Sequence, residues 1–167
     1  MPTQLAKRST RAGFTILELM LAFAIITLVA CVAITVFFKQ PEVTLLNAID
    51  LLEEDMLTAK NRALLSHSKV VVHFYPEGNG YEARFENGKL LPSPAGRGEF
   101  IRDYDYDAVF EGVSFSEIDF GKDHSLTFDK SGLTLEDGSV TLEFRGSTAE
   151  LEMTRAGGVR KLAAKMK

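Results

Sequence analysis

Among the residues able to do chemistry in this 167-residue chain, Glu18 stands apart, because it is the single charge between Phe14 and Phe38. A carboxylate inside an apolar run is costly unless something pairs with it, and such residues mark function. Cleavage between Gly13 and Phe14 would supply the partner. It creates an α-amine, protonated near neutral pH, four residues or about one helical turn before Glu18. Within one chain that pairing is strained, since the amine caps the helix end while the carboxylate points to its flank. Between neighbouring chains, the Glu18 of one receives the Phe14 amine of the next and sets an axial register. The helix dipole by itself also favours an acid at this end.

The other reactive residues carry less. His67, His73 and His124 are far apart with no metal-ligand spacing, and neither a Gly-x-Ser-x-Gly nucleophile motif nor a phosphate-cradling glycine loop occurs. No catalytic residue, metal or cofactor is therefore expected, and the chain reads as a non-enzyme. The run Asp103-Tyr104-Asp105-Tyr106-Asp107 opens like a calcium loop, in which alternating oxygens surround a hard cation. Ala108 stands where that loop needs glycine and Ser114 where it needs a bidentate glutamate. A solvated acidic loop is the better reading, with calcium at residues 103–107 left open. Cys31 is the one cysteine, so no intramolecular disulfide forms. It ends Leu28-Val29-Ala30-Cys31, the shape of a lipobox, but the apolar run continues through Phe38 where a lipoprotein turns polar.

These residues sit on an element with its own logic. From Phe14 to Phe38 there are 25 residues, a helix about 37 Å long and enough to cross a bilayer. Lys7, Arg8 and Arg11 precede it and Lys39 follows, so the positive-inside bias puts the N-terminus in the cytoplasm and the rest outside it. The run is longer than a signal-peptide core. Without residues 1–13 the chain keeps 16 basic against 23 acidic residues, a net charge of −7, which offers nucleic acid no electrostatic footprint.

Beyond Pro41, Leu45, Ile49, Leu52, Met56, Ala59 and Ala63 recur every three or four residues, with Asp50, Glu53, Glu54, Lys60 and Arg62 on the other faces. A bend is expected at Pro41, and His67 and Ser68 close the helix. After residue 69 the period becomes two. Val70 to Tyr75 and Tyr81 to Phe85 form a hairpin around Pro76-Glu77-Gly78-Asn79-Gly80. Residues 86–107 read as a loop, with Asn87-Gly88 able to close a short hairpin toward Leu90. Strands resume over Val109–Phe120, Leu126–Phe128, Val140–Phe144, Ala149–Met153 and Val159–Leu162. The expected fold class is α+β. A leader (1–13) precedes a long helix, with a transmembrane or filament-core half (14–38) and an amphipathic half (39–68), which packs on an antiparallel β-rich head (69–167).

The segment Arg11-Ala12-Gly13-Phe14-Thr15-Ile16-Leu17-Glu18-Leu19-Met20 resembles the type IV prepilin signature. The resemblance implies cleavage after Gly13 by prepilin peptidase, N-methylation of Phe14, a role for Glu18 in aligning neighbours, and extraction of the helix into a filament core. The helix-kinking proline common early in major pilins is absent. Leu57-Thr58-Ala59-Lys60-Asn61-Arg62-Ala63-Leu64, the valine-rich strand after it and Leu126-Thr127-Phe128-Asp129-Lys130-Ser131-Gly132 are similar to the head of the minor pseudopilin H and minor pilin FimT/FimU family. Major pilins close a loop with a C-terminal cysteine pair that this chain lacks.

The resemblance thus implies a minor pseudopilin of a type II secretion system, or alternatively a minor pilin of a type IV pilus. Its implied partners are other pilin-like subunits, prepilin peptidase, an inner-membrane assembly platform and, before assembly, membrane lipid. The implied location is the bacterial inner membrane with the head in the periplasm, or an assembled filament. A lipoprotein or a simple membrane-tethered binding module is the reading of a different class.

Overall fold

Leucine, isoleucine and alanine dominate the first helix, α1 (Ile16–Phe37), and they present an apolar surface on every side. All its side chains described, through Cys31, are exposed, Ile16 and Leu17 most of all. A helix that is hydrophobic all round belongs in a protein core or a membrane. The Thr27 hydroxyl is satisfied internally, because its Oγ1 donates to the Phe23 carbonyl at 2.8 Å and the Ala24 carbonyl at 2.9 Å.

The structure, a computed structural model, describes residues 15–37, 41–121, 123–162 and 164–165. These fall into two units, Met1–Lys39 and Gln40–Lys167. Among the described residues no helix is long and apolar enough to cross a membrane. The bend expected around Pro41 involves residues 38–40, which lie outside the described residues.

The second unit begins with α2 (Pro41–Ser66). Proline is suited to the first helical position, where its missing N–H is no loss. The stripe Leu45, Ala48, Ile49, Leu52, Met56, Ala59 and Ala63 is buried, and each of its large members contributes about 1.5–3 kcal/mol by leaving water. His67, in the left-handed region at φ 48°, ends the helix. Its N–H donates to the Leu64 carbonyl and the Ser68 N–H to the Ala63 carbonyl, so two carbonyls of the last turn are satisfied.

Two four-stranded antiparallel sheets follow. The first has the order β3-β2-β1-β5, formed by β1 (Val70–Tyr75), β2 (Gly80–Phe85), β3 (Ile101–Asp103) and β5 (Ser125–Phe128). The second has the order β4-β6-β7-β8, formed by β4 (Ser114–Asp119), β6 (Gly138–Phe144), β7 (Ser147–Met153) and β8 (Val159–Lys161). Alternation decides which residues face inward: Val72 lies opposite Ala83 on β2 and Leu126 on β5, and all three are buried. The helix α2 contacts β1 and β5 of one sheet and β6, β7 and β8 of the other. The core between them is aromatic, with Phe74 stacked on Phe120 at 5.5 Å and edge-on to Phe115 at 5.8 Å. Gly138 lets β6 lie close to the end of β4, because a Cβ on it would meet the Asp119 carbonyl and the Phe120 ring.

Two sequence expectations need correction. The stretch 86–107 is not wholly loop, because Ile101–Asp103 pairs with Gly80–Glu82 as β3; three residues are too few to show a period of two. The strand expected from Val109 begins only at Ser114. Asp107 takes the preceding residues into a turn, its side chain accepting the Val109 N–H at 2.8 Å and its carbonyl the Phe110 N–H at 3.2 Å. The Asn87-Gly88 turn is present: Gly88 has φ 82°, the Phe85 N–H donates to the Lys89 carbonyl, and Arg84 bridges to Leu90.

Candidate functional site

Gly13 and Phe14, the expected cleavage and methylation residues, lie outside the described residues. Glu18 is described, and the structure gives it a partner within its own chain. Thr15 occupies the cap position just before α1. Its Oγ1 accepts the Glu18 N–H at 3.2 Å, while Glu18 Oε2 accepts the Thr15 N–H at 3.0 Å and the Thr15 hydroxyl at 3.1 Å. This is a capping box, in which two backbone donors that a helix start leaves unpaired are satisfied reciprocally. The Thr-x-x-Glu spacing is a sequence signature in its own right, overlooked when Glu18 is offered only an amine. Its effect is to hold the carboxylate at the helix end, against Thr15.

The head residues singled out by type do not assemble a reactive centre among the described residues. His73 Nδ1 is 2.7 Å from Ser125 Oγ, and that hydroxyl also donates to the Asp123 carbonyl at 3.0 Å. The acid opposite His73 on β2 is Glu82, which is bound by Arg84 and does not orient the imidazole as a triad would require. No group of three or more metal-ligating side chains occurs among the described residues. Each carboxylate of the acidic run serves local structure: Asp103 accepts the Asp105 N–H, Asp105 accepts Asn79 Nδ2, and Asp107 accepts the Val109 N–H.

Glu82 should make the head acid-sensitive. Burial alone would raise its carboxyl, but the Arg84 guanidinium and the Tyr75 hydroxyl outweigh burial and hold it below the ordinary glutamate value of 4.5. Tyr75 is in turn pushed up to about 12 by burial and by Glu82. A folded-state value below the unfolded one means stabilisation present at neutral pH and lost as pH falls through the carboxylate range. Thermal midpoints should therefore drop between pH 6 and 3, roughly the span over which a glutamate titrates. Glu82→Gln should flatten the Glu82 contribution to that drop; an unchanged pH profile in the variant would contradict its assignment.

The polar group that residue-type reasoning missed is Asp55, buried on α2. Its Oδ2 accepts Tyr81 Oη at 2.8 Å and Arg102 Nε at 2.7 Å, and its Oδ1 accepts Arg102 Nη2 at 3.2 Å. Burial, then the neighbouring Tyr104 and Asp55, push the Tyr81 hydroxyl well above its ordinary value. Asp55 therefore serves as a buried acceptor that ties α2 to β2 and β3. Its place inside the apolar stripe, three after Leu52 and four before Ala59, was the available signal.

Residues 8–36 match the family described as the prokaryotic N-terminal methylation motif. Among solved structures, the fold is similar to that of the type IV minor pilin FimU of Pseudomonas aeruginosa. The identity is 16%, the match covers 71% of this chain and 88% of that one, and the TM-score is 0.51. It is also similar to the minor pseudopilin EpsH from the type II secretion system of Vibrio cholerae, at 12% identity, 77% and 99% coverage, and a TM-score of 0.50. No curated protein matches the sequence.

Proposed function

We propose that this type IV pilin-like chain, in which an N-terminal methylation motif precedes a pilin-like head, works by assembly, as a minor pseudopilin of a type II secretion system. The observation that carries the reading is the motif over residues 8–36, with Glu18 fixed at the first turn of the helix behind it. Residues 1–13 are the leader that prepilin peptidase removes after Gly13, and Phe14 is the N-terminus it methylates. The segment 14–38 then anchors the subunit in the inner membrane and later serves as filament core. Residues 39–68 and 69–167 form the stem and the head on the periplasmic side.

In that scheme Glu18 pairs with the Phe14 amine of a neighbouring subunit, and the capping box keeps the carboxylate near the helix end until the neighbour arrives. An assembly platform in the inner membrane is the machinery that lifts the subunit. The fold likeness to FimU favours a second reading, a minor pilin of a type IV pilus, which uses the same residues in the same roles.

Co-purification tests the reading. Expressed with the pilin-like subunits of its own cell, the processed chain should be recovered in sheared or extracted filaments with them. Recovery solely as a membrane monomer, with the other subunits assembled, would contradict it.

A further inference from the structure

Two of the chain's four asparagines precede glycine, Asn79-Gly80 and Asn87-Gly88. That pairing has a chemistry of its own. The backbone nitrogen after an asparagine can attack the side-chain amide carbon, and glycine has no Cβ to block the approach. Asparagine counts among the thermolabile residues for this reason. Ring closure needs a backbone that is free to turn, and the fold grants that freedom to one pair and withholds it from the other. Asn79 is half-buried and Gly80 is buried. Asn79 Nδ2 donates to Asp105 Oδ1 at 3.0 Å, and its carbonyl accepts the Tyr104 N–H at 3.0 Å. Gly80 lies opposite Tyr75 on β1 and Asp103 on β3, with the Arg102 carbonyl hard against the place where a Cβ would stand. Closing a ring there would pull Gly80 from both strands.

Asn87 and Gly88 are both exposed at the turn after β2. Among the described residues nothing lies within 4 Å of where a Cβ on Gly88 would stand. One local bond opposes the reaction, since the Gly88 N–H donates to the Phe85 carbonyl at 2.8 Å. In an exposed turn such a bond opens at low cost. Another favours it, because Asn87 Oδ1 accepts the Lys89 N–H at 3.0 Å. That donor draws electrons from Cγ and steadies the negative oxygen that forms as the carbon is attacked.

We infer that Asn87 is a site of spontaneous covalent modification, deamidating through a succinimide with Gly88, while Asn79 is kept inert by the first sheet. The Gly88 nitrogen gives its proton to hydroxide and attacks Asn87 Cγ. The new C–N bond closes the ring as the bond to the side-chain nitrogen breaks, and ammonia leaves with a proton taken from water. Water then opens the ring at either carbonyl, giving aspartate or isoaspartate with no change of oxidation state. Either product adds a negative charge at the tip, beside Arg84, whose Nη1 donates to the Gly88 carbonyl at 3.0 Å. Isoaspartate also lengthens the backbone by one methylene inside the turn that the Phe85 N–H closes on the Lys89 carbonyl. The chemistry belongs to the head and holds or fails independently of the assembly role of the helix.

The test incubates the folded mature chain in mild detergent at slightly alkaline pH and follows it by peptide mapping and mass spectrometry. The peptide holding Asn87 should gain one mass unit and divide into aspartate and isoaspartate forms. It should convert at least about tenfold faster than the peptide holding Asn79, the difference that local opening of an exposed turn allows over a paired strand. In strong denaturant the two should converge, which assigns the difference to the fold. Equal conversion of the two pairs in the folded chain would overturn the inference, as would an Asn87 as inert as Asn79. A product of aspartate alone would overturn it too, since direct hydrolysis of the amide makes no isoaspartate.

Discussion

Glu18→Ala should leave cleavage after Gly13 intact and reduce incorporation into filaments by about tenfold or more, the loss expected when one member of a desolvated charge pair is removed. In the proposed scheme the peptidase reads the leader and the cut site, which the substitution does not touch. Assembly in that scheme needs an axial register, and the substituted chain would present to its neighbour's Phe14 amine no carboxylate at all. A purely local role for Glu18 predicts much less, because losing a cap typically costs about 1 kcal/mol. Thr15→Val separates the two: it removes the hydroxyl of the capping box but keeps the carboxylate, so incorporation should fall far less than with Glu18→Ala. Quantifying the processed subunit in membranes and in sheared filaments measures both steps. Wild-type incorporation of Glu18→Ala would rule out the register role.

The second large effect belongs to the head. Asp55→Ala deprives Tyr81 Oη and Arg102 of their shared acceptor, and breaking a buried pair by removing one partner costs about 3–5 kcal/mol. The Arg102 side chain is 26% exposed, so its guanidinium can turn partly toward water, which places the loss near the lower figure. For a domain of this size that corresponds to a fall in Tm of about 10 °C. Asp55→Asn keeps an acceptor for Tyr81 and should lose roughly half as much. Asp50 offers the control: it also pairs with a base, Lys161 at 2.6 Å, but with both side chains well exposed, so Asp50→Ala should cost under about 1 kcal/mol. Thermal unfolding of the three variants gives the ranking, and an Asp55→Ala midpoint within 2 °C of wild type, roughly the size of a surface effect, would contradict it.

These two sites also show where sequence reasoning succeeds and where it stops. The apolar stripe of α2 was legible because a period near 3.6 is a property of neighbours along the chain, and the antiparallel pairing of β1 with β2 was legible because a glycine-rich turn joins two alternating runs. The Asp55–Arg102 pair was not. It joins residues 47 apart, and Arg102 lies in a three-residue strand too short to announce itself beside the Gly- and Pro-rich residues before it. The division into two sheets was hidden for the same reason, since β4 pairs with β6 and not with its chain neighbours β3 and β5.

At the N-terminus the balance is different. The motif is continuous in sequence, so Gly13, Phe14 and Glu18 could all be named from it. What the structure adds is the bond from Thr15 to Glu18, by which the lone acid of an apolar run is already held at the helix end. The register proposal then concerns a carboxylate positioned for its neighbour, without having to assume a free one.

Intact mass of the mature chain tests the central claim most directly. A subunit that is cut and methylated predicts a chain beginning at Phe14 with one added methyl group on its α-amine and no lipid. A chain still beginning at Met1, or one beginning at an acylated Cys31, would contradict it.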